Sequence, residues 1–345
     1  MKRLLFNLFL IIVPIGLLVV MVNYFVDPAN IFSGTAYVSG ISDILVKGHN
    51  VDNVSNYDER ALQEQMVRKL PYRPDVVVLG SSRVMEMGSD FFPGKKVLNC
   101  GVSHGNIHDI IAVAGLLDSL HKLPDEMLIN VDPHLICQGG TKEWQTLQPY
   151  HTYLMHKWHL REDAGQRSLL LEKLGTLFSF DYFEKSLTFL IQRKSKNFRD
   201  VGTERPAIYG RFSDGTVCYS STYANPDTLK VAGDARVVGG REIVTLDPDK
   251  CQLLSKLVDY LMSQRVKVVL VMLPYHHEYY QAMNQRFGNV FSSYDTLYRK
   301  FARAKAIQIH GGFDATGLGV PLDEFYDSWH CSKEAVKKVY NQNQL

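Results

Sequence analysis

Short runs of apolar, largely β-branched residues recur along the chain and predict buried strands. They lie at residues 75–80, 97–101, 127–131, 266–272 and 306–310. Helical patterns with apolar stripes separate or precede them, at residues 57–70, 107–120, 251–265 and 294–304. Strands that alternate with helices of this length are typical of βαβ units, in which helices cover both faces of a parallel sheet. The pattern therefore predicts a three-layer α/β/α sandwich with a mainly parallel sheet.

The N-terminal segment follows a different pattern. Lys2 and Arg3 precede residues 4–26, which contain no charged residue. Roughly 20 apolar residues span a bilayer, and no small-residue cleavage site follows the run, so we expect a transmembrane anchor at 1–26 rather than a cleaved signal peptide. Positive charges favour the cytoplasmic side, which would place the remaining chain outside the cell membrane. A membrane-proximal linker with one helix, residues 27–74, would connect the anchor to an α/β domain at 75–345.

Between residues 137 and 250 the alternation of strands and helices stops, which indicates an insertion in the α/β domain. Two helices are expected there, at residues 166–177 and 182–194. Asp214-Gly215 between alternating residues predicts a β-hairpin. Because the insertion leaves and re-enters the domain between successive strands, we expect it to lie over the carboxyl ends of the sheet and to shape the substrate site.

Composition narrows the function. The 345 residues carry a net charge of only +2, which gives no basic footprint for nucleic-acid binding. The five cysteines are odd in number and contain no Cys-x-x-Cys pair, so neither a disulfide framework nor a zinc site is indicated. His276-His277-Glu278 is the remaining metal candidate, but adjacent histidines on an extended chain point to opposite sides. We expect neither a metal nor another cofactor.

Candidate chemistry lies at the carboxyl ends of the predicted strands, where sites of parallel sheets form. The first strand is followed by Ser81 and Ser82, and the C-terminal region contains Asp327-x-x-His330. A serine hydroxyl needs a base to become a nucleophile, and a carboxylate can orient the histidine that provides it. Ser82 is preferred over Ser81, whose side chain should point away. Arg83, directly after this turn, is a candidate contact for an anionic substrate.

In combination these residues resemble the SGNH (GDSL-like) hydrolase superfamily, whose fold is flavodoxin-like. Gly80-Ser81-Ser82 matches the nucleophile block, Gly101 the second block, and Asp327-Ser-Trp-His330 the last block. The third block departs from the usual Gly-x-Asn-Asp, because Asn130-Val-Asp132-Pro-His stands in its place. The resemblance implies catalysis by Ser82, Asp327 and His330, with Gly101, Asn130 and Asp132 near the oxyanion or the substrate.

The anchor and the Pro-containing third block look similar to the membrane-anchored envelope-acylation branch, which includes DltD-like and alginate-acetylation proteins. This resemblance implies a serine esterase or O-acyltransferase that acts on acyl esters of cell-envelope polymers or lipid-linked carriers. A membrane-bound O-acyltransferase is the implied partner. The alternative is a non-catalytic protein of the same fold that binds envelope glycans or assists a membrane acyltransferase.

Overall fold

The computed structural model describes residues 2–28, 30–160, 174–191, 197–221, 223–224 and 241–342. The helices are α1 (Lys2–Val26), α2 (Gly34–Leu45), α3 (Glu59–Lys69), α4 (Ile107–Ser119), α5 (Pro133–Ile136), α6 (Gln148–Lys157), α7 (Phe180–Ile191), α8 (Pro248–Ser263), α9 (His277–Arg286), α10 (Val290–Lys305) and α11 (Lys333–Asn341). The strands are β1 (Val51–Asp52), β2 (Val76–Leu79), β3 (Val97–Asn99), β4 (Glu126–Asn130), β5 (Arg199–Asp200), β6 (Gly210–Arg211), β7 (Val217–Cys218), β8 (Lys267–Met272) and β9 (Gln308–Gly311).

The centre of the fold is a sheet of five parallel strands in the order β3-β2-β4-β8-β9. The five strands predicted from the sequence are these five, with ends that differ by one or two residues. The chain order reverses between β2 and β4, and in open α/β sheets the carboxyl ends on either side of such a reversal enclose the binding crevice. The parallel sheet predicted from the sequence is confirmed, and its switch point lies where Ser81 and Ser82 follow β2.

Both faces of this sheet are buried, because successive side chains of each strand enter two different cores. In β2, Val77 and Leu79 join one core and Val76 and Val78 the other. Apolar side chains of α3, α4, α8 and α10 fill the first core, and those of α11 pack in the second. Helices therefore cover both faces, as the βαβ pattern predicted.

A second, antiparallel sheet in the order β5-β1-β6-β7 joins two regions that the sequence separated. The hairpin predicted at Asp214-Gly215 is present as β6 and β7. Its partner β1 belongs to residues 27–74, and α3 of the same segment buries Leu62 and Met66 in the main core. The segment expected to be a linker is thus part of the packed body, because its apolar stripe finds a partner there.

The helix α1 covers the predicted anchor and packs against α7 of the insertion. The Asn23 side chain donates to the carbonyls of Thr176, Leu177 and Ser179, which fixes the start of α7 beside α1. No helix in the described part of the chain is long and apolar enough to cross a membrane. The helix predicted at 182–194 is confirmed as far as Ile191, whereas residues 166–173 of the helix predicted at 166–177 lie outside the described residues.

Candidate functional site

A sharp turn after β2 presents two serines at the switch point of the sheet. Gly80 has φ +154°, and a Cβ at this position would lie 2.4 Å from Cβ of Asn130, so only glycine fits. The Ser81 hydroxyl then accepts a hydrogen bond from the Arg83 N–H, which caps a short 3-10 turn at Ser82–Val84. The two serine side chains consequently leave the turn in different directions.

The Ser82 hydroxyl lies against the His330 ring. Ser82 Oγ and His330 Nε2 are 2.8 Å apart, although the residues are 248 positions apart in sequence. On the other side of the ring, Nδ1 lies 2.9 Å from Oδ1 and 2.8 Å from Oδ2 of Asp327. Ser82 and His330 are partly buried, and Asp327 is only 2% exposed. The predicted contact between Ser82 and His330 is therefore present, with the predicted carboxylate behind the ring.

The Asp327–His330 pair is held by its own local turn. Asp327 Oδ1 accepts hydrogen bonds of 2.8 Å from the N–H groups of both Trp329 and His330, which folds the intervening residues back on the carboxylate. Burial by itself would raise the pKa of Asp327. The hydrogen bond and charge of the His330 ring and the two N–H groups outweigh burial and hold the pKa well below its usual range. Asp327 is thus a fixed anion that orients the imidazole.

Ser81 faces the interior of the sheet end instead of the histidine. Its hydroxyl lies 3.1 Å from Asn130 Oδ1 and 3.2 Å from Asp132 Oδ2. Asn130 also donates its amide to the carbonyl of Val271 in β8, at 3.1 Å. Because Asn130 and Asp132 are only 2% and 4% exposed, they brace the serine turn. The expectation that they face substrate is corrected: their polar atoms point into the fold.

Gly101 also differs from its predicted role. Its N–H donates to Asn99 Oδ1 at 2.8 Å, and Asn99 is completely buried. An N–H that is already bonded inside the fold is not free for an oxyanion. The motif placed Gly101 correctly beside the Ser81–Ser82 turn. Its N–H, however, donates to the side chain of Asn99, two residues earlier. The N–H of Ser82 itself has no acceptor among the described residues and remains for this purpose.

Arg83 was expected to contact an anionic substrate, and this expectation is corrected as well. The side chain is buried, and its guanidinium donates to the carbonyls of Trp329, Leu273 and Pro274. It also lies over the Tyr275 ring, with 3.9 Å between the guanidinium carbon and the ring centroid. Arg83 therefore links the nucleophile turn to the end of β8 and to the segment that carries His330.

Tyr223, in the insertion, reaches the same site and was not identified from the sequence. Its hydroxyl lies 3.1 Å from Asp327 Oδ2 and 3.3 Å from His330 Nδ1. Burial and the Asp327 carboxylate raise the pKa of Tyr223, which keeps the phenol protonated. The ring packs near Tyr219 and Tyr326. No motif marks Tyr223, and the density of tyrosines in this segment is the only signal that the sequence offered.

The hairpin of the insertion also lies at this edge of the sheet. Asp214 accepts from the N–H of Ser89, and its carbonyl accepts from the N–H of Asn99 at the carboxyl end of β3. The N–H of Val217 donates to the carbonyl of Met85, just after the nucleophile turn. The hairpin therefore contacts the carboxyl-end region, as expected for the insertion, whereas α7 of the same insertion packs against α1.

A partly buried acid, Glu86, lies on the same side, between the hairpin and the C-terminal segment. Burial raises the pKa of Glu86 to about 7, while Lys333 and a hydrogen bond from Tyr326 partly oppose that rise. Within the described residues, no group of three or more His, Cys, Asp or Glu side chains could hold a metal ion. His276 caps α9, and His277 Nδ1 pairs with the Thr316 hydroxyl at 2.8 Å.

Comparison of the chain with protein-family models, curated proteins and solved structures gave no match in any of the three cases. The site itself places a serine hydroxyl, an imidazole and a buried carboxylate in line at the switch point of a parallel sheet.

Proposed function

We propose that the protein is a serine-dependent esterase or O-acyltransferase. The observation that carries the proposal is the chain of contacts from Ser82 Oγ to His330 Nε2, and from His330 Nδ1 to Asp327. This arrangement meets the requirements of nucleophilic catalysis: a hydroxyl, a base within about 2.6–3.2 Å and a third group that orients the base. Ser82 and the Asp327–His330 pair come from distant parts of the sequence and meet in this order.

In the proposed reaction Ser82 Oγ attacks the carbonyl carbon of an acyl ester, and His330 Nε2 takes the hydroxyl proton. The protonated imidazole is stabilised by Asp327, whose low pKa keeps the carboxylate ionised. His330 then gives the proton to the leaving alcohol, and the acyl group remains on Ser82. Water or an acceptor hydroxyl, deprotonated by the same imidazole, attacks the acyl-enzyme and restores Ser82. The Ser82 N–H is the donor that this turn leaves for the oxyanion.

The substrate class follows from the resemblance to the SGNH superfamily and its envelope-acylation branch. We propose acyl esters of a cell-envelope polymer or a lipid-linked carrier, with a membrane-bound O-acyltransferase as partner. Attachment to the outer face of the cell membrane belongs to the same proposal. It is supported by the apolar side chains that α1 exposes, among them Phe9, Leu10 and Phe25. Alkaline carbonate extraction of the full chain tests the attachment, since release into the supernatant would contradict it.

A fluorophosphonate probe tests the chemistry directly, because it reacts only with an activated serine. We expect stoichiometric labelling of the parent, no labelling of Ser82→Ala, and retained labelling of Ser81→Ala, the matched variant from the same turn. Mass spectrometry of the labelled peptide would locate the adduct on Ser82. Absence of labelling in a folded parent, or labelling that survives Ser82→Ala, would contradict the proposal.

One observation favours the second candidate, a non-catalytic protein that uses the cleft to bind envelope glycans. The N–H of Gly101 and the side chain of Asn130 are both turned into the fold, so two expected oxyanion donors are missing from the cleft. If the protein only binds glycans, the parent and the His330→Ala variant should bind the glycan with equal affinity. Neither of the two should release acyl groups from an ester. Measurement of both properties on the same two proteins separates the candidates.

A further inference from the structure

A cavity of about 590 Å³, lined by polar residues and two tyrosines, lies beside the loop that contacts the Ser81–Ser82 turn, and the reaction described above does not use it. Its walls come from the start of α3, the loop after β3, residues 142–146 and Tyr209 of the insertion. Pockets that bind small ligands occupy roughly 300–1,000 Å³, so the cavity has the size of a ligand site. Four separate segments of the chain contribute to it.

The cavity is connected to the nucleophile turn through one short loop, residues 101–105. On one side of this loop, a Cβ at Gly105 would lie 2.4 Å from the Gly80 carbonyl oxygen, and one at Gly101 would lie 3.3 Å from the Ser81 carbonyl oxygen. On the other side, Ser103 and His104 line the cavity. The loop that lines the cavity is therefore the same loop that packs against the Ser81–Ser82 turn.

Ion pairs fix the walls before any ligand arrives. Arg60 is buried and pairs with Asp109 at 2.9 Å and with Glu143 at 2.8 Å. It also donates to the Ser103 carbonyl, while the Ser103 N–H donates to Glu59. Because Arg60 and Glu59 hold the loop from both sides, the cavity is preorganised, and little conformational entropy would be lost when it fills.

The lining discriminates between classes of ligand. Three carboxylates, of Asp58, Glu59 and Glu143, face two permanent cations, of Arg60 and Lys142, and Arg60 is already engaged in ion pairs. A site for phosphate or another polyanion needs an excess of cationic donors, which is lacking. A site for an acyl chain needs aliphatic side chains in its walls, and none lines this cavity; its apolar surface comes from the carbon atoms of polar residues and from two phenol rings.

We propose that this cavity binds a neutral, hydroxyl-rich ligand, namely the carbohydrate or alditol portion of the substrate whose hydroxyl carries or receives the acyl group. The inference rests on the function proposed above and specifies its substrate. Closely spaced donors and acceptors of both signs suit hydroxyl groups, each of which can donate and accept. Tyr57 and Tyr209 add aromatic surface to the same walls.

Binding to Ser82→Ala tests the cavity without turnover. Saturation-transfer NMR would use xylotetraose, chitotetraose and maltotetraose as neutral probes, and tripolyphosphate as the polyanion. We expect at least one tetrasaccharide to bind, and the additional changes Lys142→Ala and His104→Asn to weaken that binding at least fivefold. His104 has φ +53°, a conformation that asparagine tolerates. Lys95→Ala, which removes an exposed lysine remote from this cavity, is the matched control and should leave binding unchanged.

A kinetic comparison separates this inference from the proposed chemistry. The double variant Lys142→Ala/His104→Asn, which retains Ser82, is assayed with an O-acetylated xylo-oligosaccharide and with p-nitrophenyl acetate. Its kcat/KM for the oligosaccharide, divided by its kcat/KM for p-nitrophenyl acetate, should be about tenfold lower than in the parent. Binding of tripolyphosphate alone, binding of no sugar, or sugar binding that ignores the double change would each overturn the inference. Sugar binding at the cavity in a parent that hydrolyses neither ester would support the cavity and defeat the proposed chemistry.

Discussion

The turns after β2 and after β3 lie side by side at the same edge of the sheet, yet they differ in where their polar groups point. After β2, Ser82 turns its hydroxyl out to His330, while Ser81 is held inside by Asn130 and Asp132. After β3, the Gly101 N–H is turned in and held by Asn99. Both turns combine a small residue with a buried amide. In the first turn the Asn130 amide supports Ser81 and leaves the Ser82 hydroxyl beside His330, whereas in the second turn Asn99 accepts the hydrogen bond of the Gly101 N–H.

The difference shows that position at a strand end and availability to a substrate are separate properties. The strand-end rule places polar groups near the crevice, but each group then bonds to the nearest competent partner. An internal side chain two residues away competes with any ligand, because the partner is always present. Substitutions in the two turns test whether they differ in this way.

The largest effect is expected at the exposed serine. Ser82→Ala should lower kcat/KM for ester hydrolysis by roughly 10³-fold or more, because the nucleophile is lost. Ser81→Ala should cost less than about tenfold, since it removes only a cap and the contacts to Asn130 and Asp132. Steady-state rates of the two purified variants, with circular dichroism to verify folding, provide the measurement. Equal losses in both variants would erase the distinction between the two serines.

Asp327→Asn should follow, with a loss of roughly 10²–10⁴-fold in kcat, because an amide cannot stabilise the protonated imidazole. Its oxygen can still accept from the N–H groups of Trp329 and His330, so the turn should persist. Acid stability gives an independent readout. The low pKa of Asp327 contributes stability above the unfolded value, about 3.9, that is lost as pH falls further. Urea unfolding between pH 7 and pH 3 should show a smaller loss in the variant than in the parent.

Asn99→Ala tests the other turn through stability. The change removes the acceptor of the Gly101 N–H and the donors to the carbonyls of Val84 and Met87. A cost of about 2–4 kcal/mol in the free energy of unfolding is expected, because buried partners lose their hydrogen bonds. Asn99→Asp, which retains the acceptor alone, serves as the control. If kcat per folded molecule rose in Asn99→Ala, the liberated Gly101 N–H would be an oxyanion donor after all.

The smallest effect is expected at Tyr223. Tyr223→Phe keeps the ring packed near Tyr219 and Tyr326 and removes the hydroxyl that contacts Asp327 and His330. A typical hydrogen bond contributes about 0.5–1.5 kcal/mol net, so kcat should fall about three- to tenfold. The pH–rate profile gives the informative readout, since a group that tunes the imidazole shifts its acidic limb. An unshifted profile with unchanged kcat would limit Tyr223 to packing.

The sequence predicted the parallel sheet because each strand is a continuous apolar run, and burial on both faces leaves no alternative pattern. It also predicted that Ser82 meets His330 with Asp327 behind the ring, since a strand-end rule and an Asp-x-x-His turn are local features. The partner of Gly101, by contrast, depends on the rotamer of Asn99, which no periodicity records. The two-residue strands β1, β5, β6 and β7 are too short to show alternation, so the second sheet was visible only through its Asp-Gly turn.

Arg83 is a second residue whose tertiary contacts could not be predicted from the sequence. An arginine beside a nucleophile is chemically suited to an anion, and the sequence cannot show that three carbonyls from distant segments converge on it. Tyr223 is the opposite case: no motif marks it in the sequence, yet the fold of the insertion brings its hydroxyl to Asp327 and His330. Long-range convergence determines both cases, and it depends on tertiary packing that a single sequence does not encode in any local pattern.

The span of 248 residues between Ser82 and His330 has a consequence for how activity appears over time. Contacts between residues this far apart in sequence form slowly in folding, because the chain loses the entropy of a long loop before the contact stabilises it. Arg83 already ties the nucleophile turn to Leu273 and Pro274, but its bond to Trp329 waits for the segment after β9. On the proposed function, a refolding chain should regain its helical signal before it hydrolyses any ester. The contact between Ser82 and His330 is then among the last parts of the fold to form, after the segment that follows β9 has packed.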